Sequence, residues 1–238
     1  ADVNRDGILD LFTPAGGSGG NNFTTHPAIL PGVGDGTFRA AVRSSSFGPS
    51  RGWTVGDFDG DGAVDLAATN PTAFTVTVLP GNGDGTFKAG IVSAPLFSYS
   101  RWVTAADFDR DGRLDLAVAN GVGAGANTNQ AQLSVLLGNG NGTFRLGGHY
   151  PSPQTGTSDD TINPEDVYAA DVNQDGVLDA IVCNYAHNIN LFMGTGDGRF
   201  RPAVGVDTGE YPRGVVVADM NADGVVDLAV TGVGINVG

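Results

Sequence analysis

Asp107–Phe108–Asp109–Arg110–Asp111–Gly112–Arg113–Leu114–Asp115 is the stretch from which the rest of this sequence can be read. Its carboxylates stand at positions 1, 3, 5 and 9, with glycine at position 6. Hard divalent cations need several oxygen ligands, and closely spaced aspartates supply them. The glycine permits the sharp turn that brings position 9 back toward the ion. Arg113 at position 7 offers its backbone carbonyl, and Asp115 at position 9 closes the shell.

The opening of this loop follows the EF-hand pattern, but no glutamate follows at position 12, and the flanking apolar residues fall at strand spacing. The same pattern recurs four times. The first loop is Asp2, Asn4, Asp6, Gly7 and Asp10, and the second is Asp57, Asp59, Asp61, Gly62 and Asp65. After the Asp107 loop come Asp171, Asn173, Asp175, Gly176 and Asp179, then Asp219, Asn221, Asp223, Gly224 and Asp227. The position-7 carbonyls of these four would come from Ile8, Ala63, Val177 and Val225. The loop starts lie 55, 50, 64 and 48 residues apart, a period that marks a propeller or another repeat array. A single loop of this kind is also compatible with a solvated Asx-rich turn. Five in register point to about five structural Ca²⁺ sites.

Composition agrees. The 238 residues include 24 Asp and only two Glu, and the formal net charge is −14. Seventeen of the aspartates lie in the five loops, so the acidity is mostly ligand inventory. Five bound Ca²⁺ would bring the formal count to about −4. Nucleic acid is not an expected partner of such a chain, and no apolar run is long enough to insert in a membrane. Cys183 is the only cysteine, which excludes an intrachain disulfide, and it lies in an apolar run as an inert core residue. Multi-oxygen modules of low affinity fill at millimolar calcium, so the expected setting is extracellular, at the cell surface or in the periplasm. The residues from Ala1 on carry no signal-peptide pattern, and the opening Ala1–Asp2 is expected to fall inside a loop whose upstream strand is not among these residues.

Each loop after the first follows a short apolar run: Trp53–Thr54–Val55–Gly56, Val103–Thr104–Ala105–Ala106, Val167–Tyr168–Ala169–Ala170 and Val215–Val216–Val217–Ala218. The residue before the first Asp is always small, as suits an innermost strand crowded near an axis. The residue after it, Val3, Phe58, Phe108, Val172 or Met220, is expected to plug the core beneath the loop. A second strand follows each loop, then a third after a variable connection. A glycine hairpin comes next, as in Gly81–Asn82–Gly83–Asp84–Gly85–Thr86–Phe87 and Gly138–Asn139–Gly140–Asn141–Gly142–Thr143–Phe144. Asp-Gly and Asn-Gly provide the positive φ of tight hairpins. The closing Phe is expected to anchor a fourth strand. The order is strand A, cation loop, strand B, strand C, glycine hairpin, strand D, all antiparallel. No helical period runs long enough to place a helix.

These motifs resemble the FG-GAP/VCBS repeat family, which includes the head propellers of integrin α-subunits. The resemblance covers nearly the whole chain. It implies an all-β β-propeller of four-stranded antiparallel blades, with calcium held in the loop between strands A and B. It also implies that Asn at position 3 is tolerated in the first, fourth and fifth loops. About four and a half repeats are present over residues 1–238, as one segment. Integrin-type propellers have seven blades, which at this period require roughly 350 residues. The chain therefore reads as part of a larger propeller.

The face opposite the cation loops is expected to carry the connections from strand D to the next strand A. These hold Arg51, Trp53, Arg101, Trp102, Tyr211 and Arg213, beside Glu165 and Asp166. Either the arginines and aromatics form a recognition surface, or the tryptophans are core residues and the arginines are solvated. The B–C loops, residues 14–27 and 121–131, are rich in Gly, Asn and Thr and read as binding loops or as plain tips. His26, His149 and His187 lack a triad-like spacing, so no enzymatic activity is expected. Asn22–Phe23–Thr24 and Asn141–Gly142–Thr143 match glycosylation acceptors. The expected function is an extracellular interaction or adhesion module that binds a protein or a glycan. The alternative is an accessory or scaffold propeller of a secreted polysaccharide-active enzyme.

Overall fold

Strand and loop alternate because apolar period-2 runs are interrupted at fixed intervals by Asp- and Gly-rich turns. The computed structural model describes residues 1–16, 25–43, 50–93, 95–96, 99–121, 131–153, 164–184, 188–208 and 211–233. All regular structure among them is β. The strands β1 (Leu11–Gly16), β2 (Thr25–Leu30) and β3 (Val42–Arg43) form the first sheet. The second contains β4 (Trp53–Gly56), β5 (Asp65–Asn70), β6 (Thr75–Leu79) and β7 (Ile91–Val92). The third contains β8 (Tyr99–Ala106), β9 (Asp115–Gly121), β10 (Ala131–Gly138) and β11 (Phe144–Pro151). The fourth contains β12 (Pro164–Ala170), β13 (Asp179–Asn184), β14 (Asn188–Phe192) and β15 (Val204–Asp207). In the last, β16 (Tyr211–Ala218) pairs with β17 (Asp227–Val233). Strands follow chain order within every sheet and all pairings are antiparallel, which is the organisation of propeller blades.

The core lies between blades. In β9, Ala117 and Ala119 pack with Val167, Ala180 and Val182 of the fourth blade. Leu116 and Val118 of the same strand pack with Phe58, Ala67 and Val78 of the second. Both faces of strand B are thus buried, so the strand reads as an unbroken apolar run. Ile181 and Cys183 carry the packing on to Val215 of the fifth blade. Each Leu or Val buried in this way contributes about 1.5–3 kcal/mol. Among the described residues, no helix is long and apolar enough to cross a membrane.

Two expectations need correction. The inner strands β8, β12 and β16 begin about four residues earlier than their apolar runs, so Arg101, Trp102, Glu165, Asp166, Tyr211 and Arg213 lie in strands and not in connections. A bulge in each ladder, between Ser100 and Trp102, Pro164 and Asp166, and Pro212 and Gly214, breaks the alternation that would have revealed them. The second correction concerns the Phe closing each hairpin, which anchors more than its own strand. Phe144 lies edge-on to Phe58 of the preceding blade at 5.8 Å, and Phe200 lies likewise on Phe108 at 5.4 Å. Phe38, in the first blade, is exposed. Of the expected plugs, Val3, Phe58 and Phe108 are buried, whereas Met220 is exposed.

Candidate metal loops and the opposite rim

Each acidic loop is held together by its own backbone. Glycine at position 6 adopts positive φ in all five, from 80° at Gly176 to 87° at Gly224. In the third loop, Asp107 accepts N–H bonds from Asp111 at 3.1 Å and Gly112 at 2.9 Å. Asp109 Oδ1 accepts from Asp111 N at 3.2 Å, and Asp111 Oδ1 accepts from Arg113 N at 2.9 Å. The position-7 residues Ile8, Ala63, Val177 and Val225 donate to position 5 in the same way. Where position 3 is Asn, its amide oxygen replaces the carboxylate oxygen: Asn4, Asn173 and Asn221 each accept from the position-5 N–H at 2.9–3.0 Å.

Position 9 does something that spacing alone does not reveal. Asp115 Oδ2 accepts the Phe108 N–H at 2.9 Å, and its Oδ1 accepts the Gly138 N–H at 2.8 Å. One buried carboxylate therefore ties the start of the cation loop to the glycine hairpin. Asp10, Asp65 and Asp179 clamp Val3 and Gly32, Phe58 and Gly81, and Val172 and Gly194 in the same manner. In the fifth loop, Asp227 accepts from Met220 N. Burial pushes the Asp115 carboxyl up to about 6, and it also raises Asp65 and Asp179. A carboxyl with a raised pKa still holds these bonds, but its charge is under strain unless a cation is near.

The fit to a metal rests on convergence. Carboxylate oxygens of Asp57, Asp59 and Asp61 lie within 4.8 Å of one another, and so do those of Asp107, Asp109 and Asp115. These donors are all oxygen, which suits a hard cation and not a soft one. Nearby cations temper the charge: Lys88 and Arg5 approach Asp61 at 3.2 and 3.6 Å, and Arg145 approaches Asp109 at 3.5 Å.

Neighbouring loops are also stitched together. The residue at position 4 has positive φ in every loop: Arg5, Gly60, Arg110, Gln174 and Ala222. Where it has a long side chain, it reaches the next loop's backbone. Arg5 donates to Asp61 O at 3.0 Å, Arg110 donates to Gly176 O, and Gln174 donates to Gly224 O at 2.7 Å.

At the other end of the inner strands, Arg51, Arg101, Glu165 and Arg213 each stand six residues before the first Asp of their loop. Arg213 Nη1 bonds Glu165 Oε2 at 3.2 Å, and Arg101 Nη1 lies 3.8 Å from Glu165 Oε1. Arg51 sits over the Tyr99 ring at 5.8 Å. The arginines are therefore brought together, and the tryptophans are not with them. Trp53 packs on Phe12 at 4.6 Å, and Trp102 packs into the core between the third and fourth blades. Both rings are half-buried, Trp102 against the core cluster and Trp53 against Phe12. Tyr211 lies in β16, but its side chain falls outside the described residues, as do residues 17–24, 122–130 and 185–187 of the B–C loops. The acceptor motif at Asn22 and His187 fall outside with them.

Sequence reasoning missed a buried amide network between the third and fourth blades. Asn190 donates to Gln132 Oε1 at 2.6 Å, Gln132 donates to Asn184, and Asn184 donates to Asn188 at 2.7 Å. Nearby, Ser134 Oγ bonds His149 Nδ1 at 2.8 Å and accepts from Asn120 at 2.8 Å. Ser134 is fully buried. The only signal of this network in the sequence is polar residues at the ends of otherwise apolar strands.

Comparison with known proteins agrees with the blade architecture. A lectin from Agrocybe aegerita described as recognising non-reducing terminal N-acetylglucosamine superposes with a TM-score of 0.51 at 21% identity, over 79% of this chain and 48% of that one. A Lactobacillus plantarum protein gives 0.54 at 12% identity, over 87% and 56%. BBS1N, from its complex with ARL6DN, gives 0.52 at 14% identity, over 77% and 50%. The chain spans about half the length of these solved chains. A comparison with curated proteins returned no match. The family model for the FG-GAP-like repeat matches four times, over residues 2–68, 57–118, 122–182 and 171–230. The matches overlap the acidic loops and the strands that flank them, and on that ground the chain belongs to the FG-GAP-like repeat family.

Proposed function

We propose that this chain is a non-enzymatic, calcium-stabilised extracellular interaction module that binds a glycan or protein ligand through the face opposite its acidic loops. The observation that carries the reading is the repeated loop. Three carboxylates converge in the second loop and three in the third, and in the first four loops a buried position-9 aspartate clamps the loop to the glycine hairpin of its own blade. Ca²⁺ bound there would add oxygen coordination and neutralise charge; the residues that would hold it are those at positions 1, 3, 5 and 9, with the position-7 carbonyl. The loops are then scaffold, because their side chains are already committed. A setting with millimolar calcium, outside the cell or in the periplasm, is the one in which such sites fill. The lectin among the similar structures favours a glycan ligand, and BBS1N, solved in complex with ARL6DN, supports a protein ligand as the other reading.

The test is thermal unfolding of the purified chain in millimolar CaCl₂ and in EGTA, followed by binding of the calcium-loaded chain to a glycan array. Chelation is expected to lower the melting temperature by several degrees. An unchanged melt removes the calcium reading, and an array without a single specific hit removes the glycan reading.

A further inference from the structure

The four charged residues at the start of the inner strands are unbalanced. Among the described residues, three arginines face one glutamate, in a chain whose formal net charge is −14. Two observations locate the imbalance at Arg51 and Arg101. Glu165 spends its better contact on Arg213, at 3.2 Å, and stands 3.8 Å from Arg101. The Arg101 side chain is only 16% exposed. Its Nη1 makes one long bond to Pro164 O at 3.3 Å, and its Nε is buried without a hydrogen-bond partner among the described residues. Asp166, next to Glu165 in β12, is occupied by the Tyr168 hydroxyl at 2.6 Å and by the Val167 N–H at 2.8 Å.

Burial and then the Arg51 charge both work against the Arg101 guanidinium, with Glu165 only a partial offset. Two like charges held together and partly dried are unfavourable without an anion between them. The bulge at Arg101 is the local device, since two residues there oppose the single Ala119 and the arginine turns out of the ladder. Tyr99 supplies an aromatic face beneath Arg51. A planar carboxylate meets guanidinium groups in a two-pronged fashion, and an adjoining ring suits the CH face of a pyranose.

The geometry points to Arg51 and Arg101 as the binding site for the carboxylate of an acidic sugar, with Glu165 as a built-in competitor for the same guanidinium groups. The inference rests on the reading that this face binds a ligand, and it names that ligand's class. The sugar carboxylate inserts where Glu165 reaches poorly, and the sugar ring lies against Tyr99. Arg213 stays with Glu165.

Calorimetric titration of the calcium-loaded chain tests this with 3′-sialyllactose against lactose, a hyaluronan tetrasaccharide against its methyl ester, and triglutamate as a peptide carboxylate. Each acidic sugar carries the carboxylate that its neutral partner lacks, and the two acids distinguish a sialic acid from a uronate. At least one acid is expected to bind tenfold or more tightly than its neutral partner and than the peptide. Arg51→Gln, which changes an exposed residue, is expected to weaken that binding at least tenfold without altering the melt or calcium uptake. Glu165→Gln is expected to strengthen it several-fold while leaving the neutral sugar unchanged, which a structural role for Glu165 would not produce. Equal affinity for acid and neutral partner, tighter binding of the peptide, or no acidic sugar bound overturns the sugar class. Wild-type affinity in both variants overturns the site. If a glycan array shows a specific neutral sugar in those cases, the interaction reading survives while this inference does not.

Discussion

At the scale of single residues, the four aspartates of a loop divide into two kinds. Asp111 is surface-directed and holds one exposed N–H, whereas Asp115 is fully buried and holds two N–H groups from separate segments. Asp115→Asn puts an amide donor against one of those N–H groups. It is expected to cost about 1–3 kcal/mol of stability even in EGTA. Asp111→Asn should change the EGTA-measured stability little and reduce calcium affinity. Urea unfolding with and without calcium separates the two. The pH dependence follows from the same group. The Asp115 carboxyl sits at about 6 in the folded chain, above its unfolded value of about 3.8. Its contribution is complete below the unfolded value and is lost as the pH rises through 6. In EGTA, stability should therefore fall between about pH 4 and pH 6, and saturating calcium should flatten that trend. The opposite slope in EGTA would show that Asp115 is not the controlling group in this window. Asp35, Asp84 and Asp197 are lowered by threonine hydroxyls and act below pH 4 with the other sign.

At the scale of elements, the blades are joined on the loop face by more than apolar contact. Gly142 N donates to Phe58 O at 2.8 Å, and Gly198 N donates to Phe108 O, so the hairpins of the third and fourth blades cap the plug of the preceding blade. Position 4 adds a second stitch, which has a conformational cost, because Arg110 stands at φ 61°. An L-residue there costs about 1–2 kcal/mol relative to a right-handed conformation, and glycine is nearly free of that cost. Arg110→Ala removes the bond to Gly176 O and keeps the cost, while Arg110→Gly removes both. The glycine variant is expected to be the more stable of the two by about 1 kcal/mol in urea unfolding. Gly60 already occupies this position in the second loop. Equal stability of the two variants would mean that the turn relaxes once the arginine is gone.

At the scale of the whole molecule, each blade touches chiefly its neighbours, so stability should be nearly a sum of local terms. Calcium at a hundred times its dissociation constant adds about 2.7 kcal/mol per site. Asp2→Ala and Asp219→Ala, in the first and fifth loops, should therefore lower the calcium-loaded stability additively, within about 0.5 kcal/mol. A deviation much larger than that would indicate coupling through the position-4 stitches. The end blades differ from the middle ones. Leu9, Leu11, Val216, Met220 and Val225 are half or more exposed, whereas Phe108 and Leu116, which stand in the third blade where Met220 and Leu11 stand in theirs, are buried.

How much of this was legible in the sequence depended on the range of the interaction. The acidic loops, the glycine hairpins and the apolar strands between them are local patterns. A turn needs its glycine and a ligand set needs its spacing, whichever blade contains them. The strand order and all five loops could therefore be read from residues a few positions apart. The second role of Asp115, the seating of Phe144 on Phe58, the amide chain from Asn190 to Asn188 and the meeting of Arg101, Glu165 and Arg213 join residues up to 86 positions apart. The fate of the tryptophans belongs to the same class. Trp53 and Trp102 look like surface aromatics beside arginine in the sequence, yet they pack on Phe12 and on the fourth blade. Only the assembled blades decide which side of a strand faces a neighbour, because a bulge shifts the alternation by one and nothing in the composition marks where it occurs.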